Sequence, residues 1–184
     1  MIELEYKVME DGMKNKKGFT LVELLAVIVI LALIMSIAIV SIGGVLQSTR
    51  QSTMKETAAS IIDGVQKQLL INNRLEAGYF TFGEALLEKG GKDSPLGGTI
   101  VYNTTGSGTR IGNSSVYKES GALTCNGSQS FVHVIFDDSM STGGKFTYTI
   151  CLSAGAGEYY IDNASYDDLL NNSKTDMFKK AATS

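Results

Sequence analysis

Few residues in this chain have the types and spacing to do chemistry. Cys125 and Cys151 are the only cysteines, His133 is the only histidine, and acids pair at Asp137-Asp138 and Asp167-Asp168. The sequence has no Ser/His/Asp set, phosphate-binding glycine loop or CxxC, and no enzyme is read from it. His133 lies between Val132 and Val134 in a strand-like run, so alternation puts it on the face opposite both neighbours, and it is read as structural. A calcium site needs several oxygen ligands converging in one loop. The loop after Asp138 has glycines but few further acids, so no metal and no cofactor are assigned, with calcium as the lesser alternative. Triplets beginning at Asn103, Asn113, Asn126, Asn163 and Asn171 match glycosylation acceptors, which chance produces in so Asn- and Ser-rich a chain.

Glu23 is the most informative ionisable residue. It opens an apolar run from Leu24 to Val40 that only Ser36 interrupts, and Lys14, Lys16 and Lys17 precede it. An ionised group costs on the order of 2.5 to 3.5 kcal/mol at the centre of a membrane helix and less near the interface. The plain account of Glu23 is therefore a carboxylate at the bilayer edge. At about 1.5 Å per residue a helix from Phe19 to Leu46 is roughly 40 Å long, more than the ~30 Å hydrocarbon core, so one membrane crossing is expected. Basic residues ahead of a first hydrophobic helix stay in the cytoplasm, which directs the chain beyond Val45 outward. No small-residue signal-peptidase site follows the run, and Gly43 to Arg50 continue a helical pattern.

After the lysine-rich leader, Gly18-Phe19-Thr20-Leu21-Val22-Glu23 resembles the class III signal of type IV pilins and the related secretion pseudopilins, over roughly residues 14–75. The resemblance implies cleavage between Gly18 and Phe19 by a membrane prepilin peptidase, N-methylation of the new Phe19 amine, and retention of the apolar run. Glu23 is similar to the family's assembly glutamate, which meets the terminal amine of a neighbouring subunit. In a low dielectric an unpaired carboxylate is penalised, and a positive amine removes the penalty. The partners implied are other pilins in a helical filament, the peptidase, the membrane, and a pilus assembly platform with its ATPases.

Two departures stand out. Met1 to Gly12 is not the short basic leader of that family, and Glu10-Asp11-Gly12 would be encoded by purine-rich codons resembling a ribosome-binding sequence. Translation from Met13 is expected, making 1–12 a start-site artefact. The sole proline is Pro95, so the apolar half lacks a kinking proline. Gly43-Gly44 is the expected site of bending or melting in a fibre, each glycine costing about 1 kcal/mol relative to Ala in a helix. The alternative role is close helix approach.

The 184 residues allow one domain plus a stalk. Net charge is -3, and because the leader through Gly18 holds four lysines and four acids, the mature chain keeps it. This excludes a general nucleic-acid footprint, and DNA is not expected as a partner. An exported head would let Cys125 and Cys151 pair, closing a loop of about 25 residues worth roughly 3 kcal/mol, the alternative being two buried thiols.

Met54, Ala58, Ile61, Val65 and Leu69 recur every three to four residues, so one helix is expected from about Thr20 to Leu75. The fold class read is α+β: a helix with a membrane half (19–45) and an amphipathic half (46–77), packed on a small antiparallel sheet. A variable loop is expected over 78–127, with a short helix at Thr81–Lys89 and strands at Thr99–Asn103 and Ser115–Lys118. The main sheet is expected over 128–162, with strands Phe131–Asp137, Lys145–Leu152 and Glu158–Asp162. The tail 163–184 is read as a last helix or edge cover, disordered from Ala181.

Three functions compete: a pilus subunit for adhesion, twitching motility or biofilm, with its surface receptor unknown; a pseudopilin of a secretion or DNA-uptake system; and a monomeric membrane-anchored surface protein. DNA uptake would draw on Arg110 and Lys118.

Overall fold

The computed structural model describes residues 18–87, 91–103, 108–139, 143–171 and 176–182. Lys14, Lys16, Lys17 and the start-site expectation lie outside them. The chain divides into two units after Val45, each described by itself.

Helix α1 is assigned from Leu21 to Ile71, Gly43 and Gly44 included. In the first unit all side chains from Phe19 to Ala38 are exposed. The stretch Leu21–Ala38 is long and apolar enough to cross a membrane. A helix apolar on every face and uncovered by its own chain needs lipid or other helices around it.

In the second unit Met54, Ala58, Ile61, Val65 and Leu69 are buried, joined by Ile62. They pack on a seven-stranded antiparallel sheet of order β2-β3-β1-β4-β5-β6-β7. The strands are β1 (Gly78–Phe82), β2 (Thr109–Arg110), β3 (Val116–Lys118), β4 (Phe131–Asp137), β5 (Lys145–Ser153), β6 (Tyr159–Ser165) and β7 (Phe178–Lys180). One face sends Phe80, Val132, Val134, Ile150 and Leu152 into the core with the helix. The other carries a smaller cluster of Phe131, Cys151 and Tyr160, with Tyr79, Leu123 and Cys125 against it. The edge strands β2 and β7 are only two and three residues long and carry Arg110, Lys179 and Lys180, which discourages edge-to-edge pairing.

Several expectations are corrected. The helix stops at Ile71 rather than near Leu75, because Asn73 adopts φ 51°. Arg74 N–H bonds the Leu69 carbonyl at 2.9 Å and Asn73 N–H that of Leu70 at 3.1 Å, a Schellman termination. Thr81 does not start a helix: Gly78–Phe82 is a strand between β3 and β4, followed by one 3₁₀ turn at Glu84–Leu86. The sheet thus begins at Gly78, not 128, and the 78–127 segment contributes three of its strands. Thr99–Asn103 is no strand. Its backbone instead ties two elements together, Val101 N–H to Ser153 and Asn103 N–H to Phe82, with Ile100 buried beneath.

The tail supplies both a helix and an edge strand. Helix α2 (Tyr166–Asn171) is started by Ser165, whose N–H and Oγ–H donate to Asp168 Oδ2 at 2.9 and 2.7 Å. Ala181 is not disordered: it is buried, and its N–H bonds the Glu158 carbonyl.

His133 lies on the face opposite Val132 and Val134 and stacks on Tyr79, ring centroids 4.1 Å apart. Burial holds its pKa below the ordinary value. The unfolded chain therefore takes up this proton first as pH falls. Head stability should be flat above about pH 6.5 and decline between there and the lowered value. From the ordinary glutamate value downward a second decline is expected, as Glu76 loses the Lys118 bond that holds its pKa down. Denaturant unfolding of wild type and His133→Gln across pH checks this: only the upper decline should vanish in the variant.

Candidate functional site

The site expected to be processed and assembled lies at the start of α1. Gly18, Phe19 and Thr20 precede the helix and are exposed, so the Gly18–Phe19 bond lies in accessible chain outside regular secondary structure. Phe19 is 87% exposed. The helix begins where it does because Thr20 and Glu23 form a capping box. Thr20 N–H and Oγ–H both donate to Glu23 Oε2, at 2.9 and 3.0 Å, and Glu23 N–H donates back to Thr20 Oγ at 3.3 Å. Two amide donors that the helix would leave unpaired are satisfied within one turn. Oε1 takes no hydrogen bond among the described residues, so half of the carboxylate is open to a donor from outside the chain.

This role of Thr20 lies outside what was expected from the sequence, although a Thr-x-x-Glu ahead of an apolar run is a capping-box pattern. Glu23 thus has a local task, ending the helix cleanly, beside any task between chains.

The other candidate residues lie apart from this segment. Gly43 and Gly44 fall within α1, and a bend there remains a proposal about the fibre. Cys125 and Cys151 are joined by a disulfide, Cα atoms 5.6 Å apart, tying the 119–130 loop to β5 on the outer sheet face. The closed loop spans a sequence separation of 26 residues. Reduction should therefore lower head stability by about 3 kcal/mol in the loop-entropy model. Unfolding midpoints with and without reductant, alongside a Cys125→Ser/Cys151→Ser variant, measure this. Among the described residues no three His, Cys, Asp or Glu side chains converge as a metal site. The two cations considered for DNA are engaged inside the head: Lys118 pairs with Glu76 at 2.7 Å, and Arg110 donates to the carbonyls of Ser114 and Asn113.

Comparison with known families bears on this same segment. Residues 13–45 match the prokaryotic N-terminal methylation motif, the class III signal carried by type IV pilins and pseudopilins. No curated protein and no solved structure matches the chain. The α+β arrangement, a long apolar-to-amphipathic helix with an antiparallel sheet, is consistent with the type IV pilin fold. Such a motif implies a structural protein rather than an enzyme, made as a membrane-anchored precursor, processed by a prepilin peptidase and assembled into filaments.

Proposed function

We propose that the protein is a structural subunit of a type IV pilus, cut between Gly18 and Phe19, N-methylated on Phe19, and polymerised through its N-terminal helix into an extracellular filament. The observation that carries this reading is the methylation motif at 13–45, which spans the basic cluster, Gly18-Phe19 and Glu23. In the filament the exposed apolar residues of the first unit exchange lipid for copies of themselves. Head-to-tail contacts that do not close generate an open fibre. Glu23, with one oxygen held by Thr20, offers the other to the Phe19 amine of a neighbour. Assembly ATPases act through a membrane platform, and the filament serves adhesion, twitching motility or biofilm formation.

Shearing surface filaments from cells and sequencing the subunit from its N-terminus tests this. An N-methylated phenylalanine followed by Thr-Leu-Val-Glu is the expected result. Any other first residue, or a subunit never found in sheared filaments, overturns the pilus reading.

A further inference from the structure

A cavity of about 330 Å³ opens in the head between α1, the start of β5 and the start of α2. Its volume is at the small end of the range of about 300–1,000 Å³ that holds small ligands. Aromatic rings from two elements line it: Phe146 and Tyr148 from β5, and Tyr166 from α2. Its charged groups are Asp63 on α1, Asp167 on α2 and Lys145 on β5. Phe146 also packs against Phe136 on the neighbouring strand, ring centroids 4.8 Å apart.

Ser165, which also lines the cavity, is used by the fold to cap α2, but the charged groups and tyrosine hydroxyls of the cavity are not. Asp63, Asp167, Lys145, Tyr148 and Tyr166 form no side-chain hydrogen bond or ion pair among the described residues. Several head carboxylates are engaged, Glu76 with Lys118, Asp162 with Lys179, Glu119 with Thr81, and Asp168 with Ser165, whereas Asp63 and Asp167, like the surface acids Glu56, Asp138 and Glu158, have no such partner among the described residues. Two carboxylates therefore face a cavity with no cation bonded to them, since Lys145 lines it without reaching either one. Anions are repelled by this pair. Asp63 is half-buried and Asp167 exposed, so water already solvates them and a neutral ligand gains nothing from their charge. A cation gains from both carboxylates and from the negative faces of the rings, the combination by which aromatic-walled sites recognise ammonium groups.

We propose that this cavity binds an organic ammonium group, with Asp63 and Asp167 as counter-charges and Phe146, Tyr148 and Tyr166 as its walls. Lys145 is the unfavourable neighbour that moderates affinity. This makes the electrostatic response two-signed: removing the acids weakens binding, and removing the lysine strengthens it.

The test uses the full chain in a non-ionic maltoside micelle, titrated by calorimetry at low ionic strength with choline and with its neutral isostere 3,3-dimethylbutan-1-ol. Choline is expected to bind saturably at one site per chain, and the alcohol not to compete. Asp63→Asn with Asp167→Asn should weaken choline binding about tenfold, and Lys145→Ala should tighten it several-fold. Added salt should erode the affinity, because the site is partly open to screening. Equal binding of the alcohol, or a choline affinity that is unchanged in the double variant or not raised by Lys145→Ala, overturns the proposal. Lys145 is exposed and removes no core packing, so its variant keeps the test open if the carboxamide variant unfolds. Filament formation is not required by any arm, so the outcome is independent of the pilus reading.

Discussion

Glu23→Ala should reduce the protein recovered in sheared surface filaments by at least about tenfold, while the precursor still inserts and is cleaved at Gly18. The two roles of Glu23 separate by chemistry. Its local bonds to Thr20 form a helix cap, and losing a cap costs typically about 1 kcal/mol. That is too little to prevent a helix as apolar as Leu21–Ala38 from spanning a bilayer. Its charge is another matter, because in the proposed bundle removing it leaves the neighbour's Phe19 ammonium unpaired among apolar helices, which is penalised more heavily than any cap is worth. Glu23→Gln keeps an acceptor oxygen for Thr20 and removes the charge, and Thr20→Ala removes the hydroxyl half of the cap and keeps the charge. The assembly role predicts that Glu23→Gln fails nearly as badly as Glu23→Ala and that Thr20→Ala assembles close to normally. Filament yield by quantitative immunoblot, normalised to membrane precursor, decides the matter. Normal yield from Glu23→Gln would show that the capping bonds, not the charge, are what Glu23 supplies.

The sequence was most legible where one physical term dominates. The apolar run and the stripe Met54, Ala58, Ile61, Val65, Leu69 follow from hydrophobic period alone, and all five stripe residues are buried. Strand β4 was readable from Phe131 to Asp137 because β-branched and aromatic residues are continuous there, and the lone histidine falls on the face that alternation assigns. It was least legible where a segment's fate is set by partners far away in sequence. Gly78–Phe82 has the residues of a strand, but Glu84 to Leu87 behind it carry helix formers, and a local reading merged the two. What decides the matter is pairing on both sides, Phe80 opposite Lys118 on one neighbour and opposite Val132 on the other. The same is true of β7, three residues whose only strand credentials are the free edge of β6. At the candidate site the chemistry is visible as single residues, while the Thr20–Glu23 box is masked because Glu23 stands out first as a charge beside an apolar run and only second as the N3 residue of a helix.

The strand reading of 78–82 carries the second large effect. Phe80 is fully buried in the middle of β1, part of the core that joins the sheet to α1. Truncating a buried Phe to Ala costs about 3–5 kcal/mol through lost transfer energy and the cavity left behind. Against a total stability of about 5–15 kcal/mol for a domain, Phe80→Ala should remove a large part of what holds the head together. Leu70→Ala on α1 is the matched control: Leu70 is 54% exposed beside the buried Leu69, and its loss should stay within about 0.5 kcal/mol. Denaturant unfolding of the full chain in micelles, followed by near-ultraviolet dichroism of the tyrosines, measures both. If Phe80 instead lay in a variable surface loop leading into a short helix at 81–89, as the sequence alone suggests, it would contact the core little and the two variants would differ little. A gap of about 2 kcal/mol or more between them requires Phe80 to sit in the core, where β1 places it. The head then depends on a segment whose identity only its neighbours in the sheet determine.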